Sequence, residues 1–202
     1  WKEETNSEEY EWYKNQLNNA VENRIPTIQD QNIVSIFHPE RVLPLIKSFI
    51  IYDKNDKKIV RYQQYFAVKE IINTIQQTDH DGNRQSGVIW HTQGSGKSLT
   101  MVMLTKYLMS ELAHIHPQVV IITDRIELDS QIHKTFNQSR LKAARATSGK
   151  NLVDFIHNRN ADIITSLVHK FDTASKKQTL VKSRDVFILV DEAHRTQYGE
   201  LH

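Results

Sequence analysis

The chain has 202 residues, 39% of them hydrophobic and 25% charged, with a formal net charge of +2 and no cysteine. This composition supports one sizeable core but excludes a disulfide frame and a thiolate zinc site, and near-neutral charge confines any nucleic-acid-binding surface to a local patch. No run approaches the ~20 apolar residues of a membrane span and the start lacks a signal-peptide pattern, so no membrane is expected and a reducing, cytoplasmic setting fits.

Residues 1–31 are polar and acidic at the start, with Tyr10, Tyr13, Leu17 and Val21 spaced as on one amphipathic helix. From Val34 to Ile51 apolar residues are denser, and Pro39 sets the start of a helix of about two to three turns. The run 53–58 (DKNDKK) predicts a charged turn without core value. A helix-like segment, Gln64–Gln77, then ends in the loop DHDGNRQSG.

From there buried strands alternate with amphipathic helices. Strands are predicted at Gly87–His91, Val119–Thr123, Ala143–Thr147, Asp162–Thr165 and Val186–Val190. Helices are predicted at Lys97–Ala113, Ile126–Asn137 and Asn151–Arg159. Short β-branched runs separated by helices specify parallel strands with crossovers, hence an α/β sheet. Trp1, Trp12 and Trp90 read as packing residues. The Lys-rich stretch 170–184 reads as a solvated loop, and His114 with His116 as solvated rather than a metal pair.

The strongest chemical signal lies in GVIWHTQGSGKSLTM, where a predicted strand leads through His91, Thr92, Gln93, Gly94, Ser95, Gly96, Lys97 and Ser98 straight into a helix. A Gly-rich loop offers backbone N–H groups to phosphates, and the following helix turns its positive end toward them. Gly94 and Gly96 allow backbone conformations and a close approach that a side chain would block. This is the pattern of a P-loop binding ATP with Mg²⁺: Lys97 reaches the β- and γ-phosphates and the Ser98 hydroxyl ligates the metal. The first glycine of the general pattern is His91 here.

Downstream, an apolar strand ends in Asp191-Glu192-Ala193-His194. At a strand's carboxyl end Asp191 can hold the metal's water shell opposite Ser98, and Glu192 can polarise an attacking water.

The pair GSGKS and DEAH resembles the motif pair of superfamily 2 helicases and translocases, in which a non-glycine at the position of His91 is common. The longer strings WHTQGSGKSLTM and ILVDEAHRTQYG, with HPERVLPLIKSFIIYD and RYQQYFAVKEI, are similar to the motor (restriction) subunit of type I restriction-modification enzymes. The resemblance spans roughly Ile33 to Gly199. It implies a RecA-like P-loop NTPase parallel sheet with flanking helices, preceded by a short helical lead-in. Residues 1–60 would be the lead-in or linker from an upstream nuclease domain, and 61–202 the N-terminal part of the first motor domain.

By the same resemblance Arg61-Tyr62-Gln63-Gln64 is the Q motif, with Gln64 reading the adenine edge and Gln63 as the alternate; an amide can both donate and accept there. Thr123, Arg125 and Gln131 resemble the motif that contacts a DNA phosphate backbone, the other reading being a capped helix start, and Thr165 resembles the next DNA-facing loop. His194 and Arg195 would couple the nucleotide site to DNA. The resemblance implies an ATP-hydrolysing, double-stranded-DNA translocase whose partners are specificity and methyltransferase subunits. Rival readings are another superfamily 2 DNA helicase and an ATP-binding switch without turnover. Starting at Trp1 and stopping at His202, just after a motif, the chain is expected to be a piece of a longer protein, an incomplete domain lacking a central strand.

Overall fold

A computed structural model of the chain describes residues 7–21, 24–53, 56–90, 92, 94–176 and 183–191. The first segment forms two helices rather than the single one expected, α1 (Ser7–Val21) and α2 (Ile28–Ile36). The break follows from Pro26 and from the Thr27 cap. The Thr27 hydroxyl accepts from the Asp30 N–H at 3.3 Å, while the Asp30 carboxylate accepts from the Thr27 N–H at 2.8 Å. Arg24 clasps the same carboxylate through both guanidinium nitrogens, at 2.6 and 2.8 Å. Leu17, Val21 and Val34 form a small core of their own between the two helices, with Trp12 and Tyr13 against it. Trp12 also meets His38 edge-on at 4.4 Å, which bears out its packing role.

Pro39 opens α3 (Pro39–Ser48) at the first helical position, where its missing N–H costs nothing. Of the expected charged turn, residues 53 and 56–58 belong to an antiparallel pair of strands, β1 (Ile50–Asp53) and β2 (Asp56–Ile59), and residues 54–55 lie outside the described residues. Two long helices follow, α4 (Tyr62–Gln76) and α5 (Lys97–Glu111). Leu45, Phe49, Ile51 and Val60 share one core with Tyr65, Val68 and Ile72 of α4 and with Val102, Leu104 and Leu108 of α5. Each side chain so enclosed contributes about 1.5–3 kcal/mol. Packing therefore joins the chain from Leu45 onward to the sheet, whereas Leu17, Val21 and Val34 make a separate core between α1 and α2, and Ile36 at the end of α2 packs against the main one. Lys106 adds a polar tie, its ammonium donating to the Ile50 carbonyl at 2.9 Å, and burial pushes its pKa down.

The remaining elements build the sheet: β3 (Gln118–Thr123), α6 (Ile126–Gln138), β4 (Ala143–Arg145), α7 (Gly149–Asn158), β5 (Ile163–Leu167), α8 (Val168–Ser175) and β6 (Val186–Val190). The four strands are parallel in the order β4-β5-β3-β6. All six residues of β3 and all five of β5 are buried, as both faces of a helix-covered parallel sheet require. Val119 and Ile121 pack toward α4, α5 and α6, and the alternate Val120 and Ile122 pack toward α7 and α8. The stretch read as a loop from Lys170 begins instead inside α8, because Val168, Phe171 and Ala174 at helical spacing cover the second face.

The predicted strand Gly87–His91 is not formed. Residues 87–90 have no regular structure, with Val88 86% and Trp90 91% exposed, and His91 lies outside the described residues. An extended segment needs a ladder partner for its backbone, and none of the described strands pairs with it. It runs beside α4 instead, around a cavity of about 290 Å³ lined by Ala67, Ile71, Ile75 and Trp90. Trp90 is thus not the packing residue its sequence context suggests. β6 forms one edge of the sheet among the described residues, beside a groove of about 360 Å³ walled by Ile89, Leu104, Leu108, Phe187 and Leu189. Among the described residues no helix is long and apolar enough to cross a membrane.

Candidate nucleotide site

The site begins where the irregular segment turns into α5. The Ser95 N–H donates to the Thr92 carbonyl at 3.2 Å, closing a tight turn. Gly94 and Gly96 take φ of +77° and +88°, the left-handed region that L side chains avoid. Gly96 serves as the N-cap of α5 without any side-chain cap, so the N–H groups of the first turn, at Lys97 and Ser98, remain the positive end of the helix. A Cβ on Gly94 would meet nothing within 4 Å, whereas one on Gly96 would lie 2.8 Å from Gln64 Nε2. The loop is therefore open on one side and tightly backed on the other. Lys97 and Ser98 are half-buried at the helix start.

That backing was not expected. Gln64 is only 5% exposed, and both ends of its amide are engaged by backbone. Its Oε1 accepts from the Arg61 N–H at 3.0 Å, and its Nε2 donates to the carbonyls of Ser95 at 3.2 Å and Gly96 at 3.4 Å. The alternate glutamine, Gln63, is exposed. Thr100, not singled out in sequence, holds the Gly96 carbonyl as well, through its hydroxyl at 3.2 Å and its N–H at 3.0 Å. A hydroxyl one turn into the helix after Gly-Lys-Ser is the only sequence signal for it.

Asp191 follows β6 directly, is 7% exposed, and donates its N–H to the Ile122 carbonyl at 2.9 Å. The chain fixes the path between β6 and the loop. Arg84 donates to the carbonyl of Ile75, at the end of α4, and to that of Arg184, just before β6. Gln64, at the other end of α4, reaches the loop. The loop is thus separated from the amino end of β6 by most of the length of α4.

Of the expected DNA contacts, Arg125, the N-cap of α6, and Gln131 within that helix are exposed. Thr123 and Thr165 are each fully buried inside the sheet, and their hydroxyls have no hydrogen-bond partner. Neither hydroxyl is presented at the surface of this structure. Gln93, Glu192, His194 and Arg195 lie outside the described residues. Among the described residues no cluster of three or more His, Asp or Glu could hold a metal by itself. The oxygen donors of Ser98 and Asp191 suit a hard divalent cation that takes the rest of its shell from phosphate and water.

A parallel sheet flanked by helices, with a glycine-framed loop opening α5 and a carboxylate ending β6, defines the P-loop α/β class. The SWI2/SNF2 ATPase family model matches residues 63–202, and the chain belongs to that family. Among curated proteins it is similar to the MjaIXP endonuclease subunit assigned to a type I restriction enzyme of Methanocaldococcus jannaschii, 34% identical over 87% of this chain and 17% of that protein. The type I restriction enzyme HindI endonuclease subunit of Haemophilus influenzae is 31% identical over 81% of this chain and 17% of that protein. The SauCOLORF180P endonuclease subunit of Staphylococcus aureus is 29% identical over 89% and 19% respectively. The chain spans under a fifth of the length of these relatives.

Proposed function

We propose that this chain is the front part of the first RecA-like motor domain of a type I restriction endonuclease subunit, binding ATP with Mg²⁺ and driving translocation of double-stranded DNA. The observation that carries the proposal is the loop from Gly94 to Ser98, with two left-handed glycines leading into a helix that packs in the core. Open space over Gly94 and the positive end of α5 suit a triphosphate.

In this reading Lys97 neutralises β- and γ-phosphate charge, and Ser98 and Asp191 hold Mg²⁺. Bound there, the metal supplies charge stabilisation to the phosphoryl group. Glu192 orients the attacking water. Adenine selection falls to the start of α4, where Gln63 is exposed and Gln64 faces the loop. Arg125 and Gln131 supply sequence-independent contacts to a DNA backbone, which suit a motor because they can be remade at each step. Residues 1–60 act as the lead-in from an upstream nuclease domain, and the edge of β6 receives a further strand of the longer protein. Specificity and methyltransferase subunits are the partners in this assembly.

The test is ATP binding and DNA-stimulated turnover of the full-length protein. Lys97→Ala is expected to lose both. Glu192→Gln is expected to keep binding and lose turnover by at least about a hundredfold. Undiminished turnover in Lys97→Ala would overturn the reading, and a wild type that binds ATP without any turnover would make the chain a switch.

A further inference from the structure

We infer that Gln64 is a positioning residue for the phosphate loop, setting the orientation of the two peptide groups that present N–H to phosphate; this rests on the nucleotide-binding reading above. The geometry is direct. All peptide bonds among the described residues are trans, so within each peptide group the carbonyl and the N–H point in opposite directions. The Ser95 carbonyl shares its peptide with the Gly96 N–H, and the Gly96 carbonyl shares its peptide with the Lys97 N–H. Gln64 Nε2 draws both carbonyls toward α4, at 3.2 and 3.4 Å. The N–H groups of Gly96 and Lys97 therefore face away from α4, toward the open side of the loop.

Four further observations make this a built contact. Gln64 is 5% exposed, so its amide cannot exchange these partners for water at little cost. Its Oε1 is anchored by the Arg61 N–H at 3.0 Å, which leaves the NH₂ end facing the loop. The fit is close enough that a Cβ on Gly96 would stand 2.8 Å from Nε2 and displace the amide, at a position whose φ of +88° already favours glycine. Thr100 pulls the Gly96 carbonyl from the helix side, and the loop backbone is held from two directions.

A residue that reads only the base and one that sets the loop separate cleanly when the base is removed from the ligand. The experiment measures Kd by calorimetry for Mg-ATP and for Mg-tripolyphosphate, which has no base, on the full-length protein. Gln64→Glu keeps the acceptor toward Arg61 and removes the donor; Gln64→Met fills the same space and removes both. Tm is recorded for each.

Both ligands are expected to weaken by the same factor, about five- to tenfold in the uncharged Gln64→Met, with a cooperative melt retained in that variant. Tripolyphosphate affinity unchanged while ATP affinity falls would make Gln64 a base reader and overturn the inference. A collapse of Tm in both variants would assign Gln64 to stability and overturn it equally. The nucleotide-binding reading fails separately, through Lys97→Ala retaining wild-type affinity for tripolyphosphate.

Discussion

The Arg145 guanidinium, at the end of β4, closes on the carboxylate of Asp129, which lies 1% exposed in the first turns of α6. This pair ties a crossover helix to the outer strand of the sheet. Removing Arg145 leaves a buried charge without its partner, which costs about 3–5 kcal/mol when both partners are enclosed. Arg145 keeps 39% of its side chain in solvent, so Arg145→Met is expected to cost about 2 kcal/mol, a Tm drop of roughly 4–8 °C for a chain of this size. Adding Asp129→Asn should restore part of that loss. Thermal melts of the two variants check it; a double variant less stable than Arg145→Met alone contradicts the assignment.

Gly149 opens α7 where a Cβ would stand 2.9 Å from the Lys170 carbonyl oxygen and 3.0 Å from the Ala174 nitrogen. Both obstacles are backbone, so they cannot swing aside. Gly149→Ala is expected to push α7 from α8 and cost about 1–3 kcal/mol, despite alanine's better helix propensity. Denaturant unfolding reads this directly, and a stabilised variant would refute the close packing.

The two loop glycines should respond differently. Gly94→Ala meets only the backbone penalty of its φ of +77°, since nothing lies near the added carbon, about 1–2 kcal/mol. Gly96→Ala adds a collision with Gln64. It is expected to be the less stable of the two. Measured stability of the pair decides the matter, and equal values would show that the amide yields freely.

Asp30 is held well below the ordinary carboxylate range, chiefly by hydrogen bonds from Arg24 and then from the Thr27 side chain. A folded pKa below the unfolded value of about 3.9 means that its contribution is fully present above that pH and lost as pH falls through the folded value. Asp30→Asn should therefore differ from wild type in the stability of α2 at neutral pH and converge with it in strong acid. Helix content of α2 by NMR across that range checks the direction. A gap that widens on acidification would reverse the sign.

Local chemistry was legible in the chain wherever one segment carries its own explanation. β6 was read as Val186–Val190 and forms over those residues, and β3 differs from its expectation by one residue. An apolar β-branched run bounded by polar residues has few other solutions. The loop from Gly94 to Ser98 was equally plain, because glycine spacing, lysine and helix start follow one another without a gap. What misled was Gly87–His91, whose apolar run Val88-Ile89-Trp90 reads like that of β6. A strand is defined by its neighbour, and no residue inside the run states whether a ladder is available.

By itself, then, the sequence determined the α/β class, the glycine-framed loop at the start of α5 and the acidic end of β6, since each follows from residues adjacent along the chain. Only the tertiary structure decided that Thr123 and Thr165 are sealed inside the sheet, that Arg145 answers Asp129, and that Gln64 grips a loop 31 residues away. Those are consequences of strand order and helix crossing. They arise from contacts between segments whose separation along the chain carries no record of their distance in space.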